Sequence, residues 1–222
     1  MIIAIDGPAG AGKSTVCRML AQELRFLYLD TGAMYRAVAW ALLHEEVDRA
    51  EDAIAAQLPH LPLTFSIMGD RLEIRYRDRL LQSELRNPEM SDAASRISQL
   101  KPVRDFLLLW QRRLAKQGNI VAEGRDTTTV VFPDAELKVF LTADLQTRMR
   151  RRFAEYREKG IEITQDEMEL RIRERDEADA NRDLAPMRQA EDAMLLDTSH
   201  LDIQGVVDRL VDAAKVRMRA HL

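Results

Sequence analysis

Gly7, Gly12, Lys13 and Ser14 stand at the spacing G-x-x-x-x-G-K-[ST] inside MIIAIDGPAGAGKST. Small residues at Gly7, Pro8, Ala9, Gly10, Ala11 and Gly12 let the chain curl until successive backbone N–H groups point inward, a cradle for phosphate oxygens. The helix that follows, Thr15 to about Leu24, aims its positive N-terminal end at the same anion. Lys13 would reach the β- and γ-phosphates of a nucleotide, and the Ser14 hydroxyl would ligate Mg²⁺. The competing reading is a Gly-rich turn with an incidental lysine. The full pattern between an apolar strand and a helix favours the phosphate site.

A phosphate loop alone does not separate a kinase from a hydrolase or a regulator. The guanine-reading sequence N-K-x-D is absent, which disfavours a GTPase. Arginines collect at expected strand ends and in one charged segment: Arg36, Arg125, Arg148, Arg151, Arg152, Arg175 and Arg182. Phosphoryl transfer needs bidentate cationic donors around oxygens that carry developing charge. An acceptor that is itself a phosphate needs no general base, only relief from the repulsion of two anions. Arg148 and Arg152, four apart, share a helix face and could clamp one set of phosphates. They could equally belong to a solvated helix paired to Glu155 and Glu158. Arg175, Asp179 and Arg182 recur at i, i+4 and i+7, one stripe of a second charged helix.

Positioning these residues requires strands that end where the chemistry sits. Apolar runs at Ile2–Ile5, Phe26–Leu29, Asn119–Ala122, Leu137–Leu141 and Ala193–Leu196 alternate with helical stretches. That alternation predicts an α/β fold, a three-layer arrangement around a five-stranded parallel sheet. Ligands in such folds lie beyond the carboxyl ends of the strands, which is where Asp30-Thr31-Gly32 and Glu123-Gly124-Arg125-Asp126 fall. Alternating runs at Leu63–Ile67 and Leu72–Tyr76 flank Met68-Gly69-Asp70, a hairpin signal, and Arg79–Leu81 adds a short third run. These read as a small antiparallel sheet in an inserted subdomain of about 45–87. The expected division is a single domain with core 1–44, 88–143 and 183–222, and a helical lid of about 144–182.

The chain of 222 residues is 46% hydrophobic and 32% charged, with a net charge of −4. Such a chain can bury a real core and has no excess of positive charge for nucleic acid, so any basic site must be local. One cysteine, Cys17, excludes an internal disulfide. The histidines (His44, His60, His200 and His221) lack ligand spacing. No apolar run approaches membrane-spanning length, and no signal peptide is visible, so the expected setting is the cytoplasm, as a monomer.

Four motifs in order, DGPAGAGKST (6–15), LDTGAMYR (29–36), EGRDTTTVVFPDA (123–135) and RDEADANRDLAP (175–186), resemble bacterial cytidylate kinases over essentially the whole chain. The resemblance implies transfer of the ATP γ-phosphate to CMP or dCMP, giving ADP and CDP or dCDP. It implies Thr31, Tyr35 and Arg36 at the acceptor, with Arg36 on its phosphate. Ser95, Arg104 and Asp126 would read the cytosine edge, whose amino group a carboxylate accepts. Arg125 matches a phosphate contact, Arg175 and Asp179 the ribose hydroxyls, and Arg182 the transferring phosphate. Arg148, Arg151 and Arg152 would open a lid that excludes water. Two departures stand out. Thr31 replaces a usual serine, and Thr128 replaces a usual glycine, a costly change if the backbone there needs a positive φ. The alternatives are a kinase for another small acceptor, such as shikimate, and a nucleotide-switched ATP-binding regulator.

Overall fold

The computed structural model describes residues 1–69 and 71–220; Asp70 of the expected turn, and His221, lie outside them. The chain begins with β1 (Ile2–Asp6), α1 (Lys13–Leu24), β2 (Leu27–Asp30) and α2 (Thr31–His44). After α3 (Glu51–Gln57) come β3 (Leu63–Met68), β4 (Arg71–Tyr76) and the short β5 (Arg79–Leu80). Helices α4 (Pro88–Ile97) and α5 (Lys101–Ala115) lead to β6 (Ile120–Glu123) and β7 (Leu137–Thr142). The last part is α6 (Leu145–Glu158), α7 (Gln165–Asn181), β8 (Met194–Asp197) and α8 (Ile203–Ala220).

Parallel strands run in the order β2-β6-β1-β7-β8. The register sets Ile5 opposite Glu123 and Leu29 opposite Ala122, so the ends of β1, β2 and β6 open onto one rim. Central β6 is buried at every position, as strands covered on both faces must be, whereas edge strand β8 is half open. One face carries Val16, Cys17 and Leu20 of α1 against Val207 and Leu210 of α8. The other carries Met34 and Val38 of α2 with Val103 and Leu107 of α5.

The hairpin β3–β4 is antiparallel as expected, and β5 pairs with β4. Its attachment could not be read from alternation alone. Arg71 pairs in parallel with Tyr28 of β2, so the hairpin continues the central sheet at its edge. Leu63, Phe65 and Ile74 enter the same core as α2 and α5. Helices α6 and α7 form a hairpin with their own apolar seam of Tyr156, Met168 and Ile172. Gly160, at φ +67, ends α6, and Thr164 starts α7 through a capping box with Glu167.

Two local features shape the rim. Helix α2 begins at Thr31 because the Asp30 carboxylate accepts the Ala33 N–H at 2.8 Å and caps it. Residues Thr127–Val131 form a turn of π-helix.

Candidate active site

The phosphate loop is shaped by contacts that forbid side chains. A Cβ on Gly7 would lie 1.9 Å from the Leu141 carbonyl oxygen. Gly10, at φ +77, lets the Arg148 carbonyl come within 3.0 Å of where its Cβ would be. Pro8 and Ala11 are buried beside them, and Gly12 caps α1. Lys13 is buried and donates to the Gly7 and Pro8 carbonyls at 2.7 and 2.8 Å. Burial, and then the neighbouring Arg125 guanidinium, pull its pKa down to about 7. Ser14 and Thr15 are exposed at the loop mouth.

Ser14 Oγ donates to Glu123 Oε2 at 2.9 Å, and the Tyr28 hydroxyl bonds the other oxygen of that carboxylate. Burial pushes Glu123 up, and the nearby Asp30 carboxylate pushes it further. A hydroxyl that gives its proton to a carboxylate turns its lone pairs outward. That is an oxygen donor suited to a hard cation.

Lid residues meet the loop from above. Arg148 donates to the Ala9 carbonyl at 3.2 Å and pairs with Asp176, whose other oxygen accepts the Ala9 N–H at 3.1 Å. Arg151 donates to the Ala11 carbonyl and to Thr198 Oγ1. Arg152, although it shares the helix face of Arg148, bonds Glu155 and lies over the Tyr156 ring. In this conformation Arg148 and Arg151 lie against the loop, while the Arg152 guanidinium, the expected partner of Arg148, is turned to its own helix.

Opposite the loop, the other arginines are held by carboxylates. Arg125 Nε donates to Asp179 Oδ2 at 2.7 Å, and Arg175 Nε donates to the same oxygen at 3.1 Å. Burial raises the Asp179 carboxyl, but the two guanidinium groups outweigh it and leave its pKa below the ordinary value. Asp126 is bonded by Arg104 and approached by Arg182 NH2 at 3.2 Å. Arg104 also donates to the Ser98 carbonyl and faces the Tyr35 ring. Burial lifts Tyr35 up to about 12, keeping the phenol protonated. Ser98 links this group further, since its hydroxyl donates to the carbonyl of half-buried Ser95. Arg36 pairs with Asp30 at 3.0 Å, and Thr31 Oγ1 donates to the Glu123 carbonyl at 2.6 Å.

Thr128 resolves the question raised by the missing glycine. Positive φ among the described non-glycine residues occurs at Arg25, Glu46, Arg77 and Ala185, not at Thr128. Its amide and hydroxyl both donate to Asp6 Oδ2, and those of Thr127 donate to Asp6 Oδ1, at 2.6–2.9 Å. Glu123, Asp176, Ser98 and the threonine pair at Asp6 were not singled out as site residues from sequence. Only Glu123 carries a usable signal, a carboxylate ending the strand beside the loop-bearing β1.

The sequence profile of the family described as cytidylate kinase matches residues 3–216. A cytidylate kinase of Salinibacter ruber is 42% identical over 222 residues, covering 98% of each chain. One from Thermosipho melanesiensis is 44% identical over 217 residues, again covering 98% of each. In structure, a shikimate kinase from Bacteroides thetaiotaomicron gives a TM-score of 0.52 at 15% identity, covering 97% of this chain and 98% of that one. That likeness speaks to the fold. A loop that cradles phosphate, an opposing set of carboxylate-held arginines and a full-length sequence match agree: the chain belongs to the cytidylate kinase family.

Proposed function

We propose that this protein transfers the γ-phosphate of MgATP to CMP or dCMP, working as a cytoplasmic monomer. In this reading 45–87 is the monophosphate-binding insertion, 144–182 the lid, and the rest the core. The phosphate loop from Gly7 to Thr15 holds ATP. Lys13, once released from the Gly7 and Pro8 carbonyls, moves to the β- and γ-phosphates. Ser14, with its proton engaged by Glu123, is the protein ligand of Mg²⁺, which neutralises phosphate charge when bound.

On the acceptor side, Arg36, Arg125 and Arg182 receive the monophosphate, and Ser95, Arg104 and Asp126 read the base. Thr31 and Tyr35 line that site, and Asp179 with Arg175 takes the ribose hydroxyls. Arg148 and Arg152 stabilise the transferring phosphoryl group when the lid closes; Arg152 must then leave Glu155. No base is required, since the attacking oxygen is already anionic above a phosphate pKa near 6.

The observation that carries this reading is a shortage of partners. Among the described buried side-chain atoms, Arg36 Nε has no hydrogen-bond partner, and Arg182 NH2, although 3.2 Å from Asp126 Oδ1, makes no hydrogen bond; Gln111 Nε2 and Thr129 Oγ1 are likewise unbonded. Buried guanidinium donors without acceptors are costly unless an anion supplies them. The test is a coupled ADP-release assay with CMP, dCMP, UMP, AMP and shikimate. CMP or dCMP should give the highest kcat/KM; equal rates across acceptors, or none above basal hydrolysis, would overturn the assignment.

A further inference from the structure

The Asp176 carboxylate occupies an unusual place. It rises from α7, in the lid, and spans two donors that belong to the donor-nucleotide site. Its Oδ1 accepts the backbone N–H of Ala9, inside the phosphate loop, and its Oδ2 pairs with the Arg148 guanidinium. An N–H of a glycine-rich loop and a guanidinium on the same side of it form the donor pair that a phosphate oxygen takes. Arg148 is otherwise satisfied by the Ala143 and Ala9 carbonyls, so it is already folded against the loop. Asp179, three residues on along α7, has a different task, holding Arg125 and Arg175.

We propose that Asp176 is a positioning residue of the donor site, a built-in anion that presets Ala9 N–H and Arg148 and yields both to an ATP phosphate. The inference rests on the reading that ATP binds at this loop. Carboxylate and phosphate compete for one pair of donors, so the same contact that orders the lid arginine weakens nucleotide binding. Removing the charge but keeping the shape should therefore tighten ATP, the opposite of what loss of a merely structural contact would do.

Asp176→Asn is the direct test, with Glu177→Gln as a control that removes a charge from an exposed position in the same turn. MgATP binding is measured by calorimetry on the full chain without acceptor, and KM and kcat by ADP release with CMP. The partial exposure of the site limits the gain, and Asp176→Asn should bind MgATP about threefold to tenfold more tightly. The KM for ATP should fall with it, and Glu177→Gln should match the wild type. Equal or weaker ATP binding in Asp176→Asn overturns the proposal. So does the same tightening in Glu177→Gln, which would be a general charge effect. Wild-type protein that binds no MgATP would instead overturn the underlying site assignment.

Discussion

The two sides of the site are built from different materials. The side proposed for ATP is main chain: a loop whose shape is dictated by the space Leu141 and Arg148 leave at Gly7 and Gly10. The side proposed for the acceptor is side chain: Arg104 and Arg182 on Asp126, Arg125 and Arg175 on Asp179, Arg36 on Asp30. Main-chain donors are fixed once the fold forms. Paired guanidinium groups are pre-aimed but exchangeable, because each can trade a carboxylate for a phosphate. A rigid cradle thus faces an adjustable one, which suits a reaction whose donor is common and whose acceptor must be chosen.

Breaking the main-chain side should have the largest effect. Gly7→Ala would drive a methyl into the Leu141 carbonyl, backbone against backbone, with no flexible side chain to give way. Calorimetry should find MgATP binding abolished, with a lowered Tm; wild-type ATP affinity would refute the rigid-cradle picture. Arg182→Ala comes next. It removes the guanidinium whose buried NH2 pairs with Asp126 at 3.2 Å without a hydrogen bond to it. By analogy with the loss of one transition-state donor, kcat should fall about 10²–10³-fold, while ATP affinity changes little. Preserved kcat would contradict its role in transfer.

This contrast also explains what could be read beforehand. The donor side is a contiguous motif, so residues 7–15 announce themselves, and the strand alternation around them gives the parallel sheet. The acceptor side joins residues far apart in sequence. Arg175, Asp179 and Arg182 share a stripe, yet nothing in their spacing says that Asp179 meets Arg125, 54 residues away. Resemblance supplied those positions, not periodicity. Asp176 was invisible for a further reason: in an α7 rich in Arg, Asp and Glu, one more carboxylate looks like solvated surface. The continuation of the β3–β4 hairpin into the central sheet rests on a single pairing, Tyr28 with Arg71, which local alternation cannot encode.

A smaller effect should sharpen the acceptor half. Asp126→Ala removes the carboxylate that Arg104 and Arg182 share, leaving two buried cations without it. The CMP/UMP ratio of kcat/KM should fall about tenfold to a hundredfold, on the scale of about 1–3 kcal/mol for one well-placed base contact. Thermal stability should also drop, since a broken buried pair leaves charge uncompensated. An unchanged CMP/UMP ratio would remove Asp126 from base reading, whatever happens to stability.

The subtlest difference between the halves is in their protons. Lys13 is held down to about 7 from an ordinary 10.5 by burial, then by Arg125. A phosphate set beside it favours the ammonium, so its pKa must rise when ATP binds. Above pH 7 binding therefore takes up a proton, and ATP affinity falls as pH climbs, by at most tenfold per unit for one site. In the ligand-free protein the sign is reversed. The unfolded chain keeps the lysine proton that the native state has lost, so stability rises with pH above 7. That rise ends where the unfolded chain begins to lose the Cys17 thiol proton, which burial retains in the native fold. On the acceptor side the CMP phosphate is already dianionic. Calorimetry at pH 8 in buffers of different ionisation enthalpy should show a fraction of a proton taken up with MgATP and almost none with CMP. Equal uptake for the two ligands would mean that the ammonium in the loop is not what distinguishes the rigid half from the adjustable one.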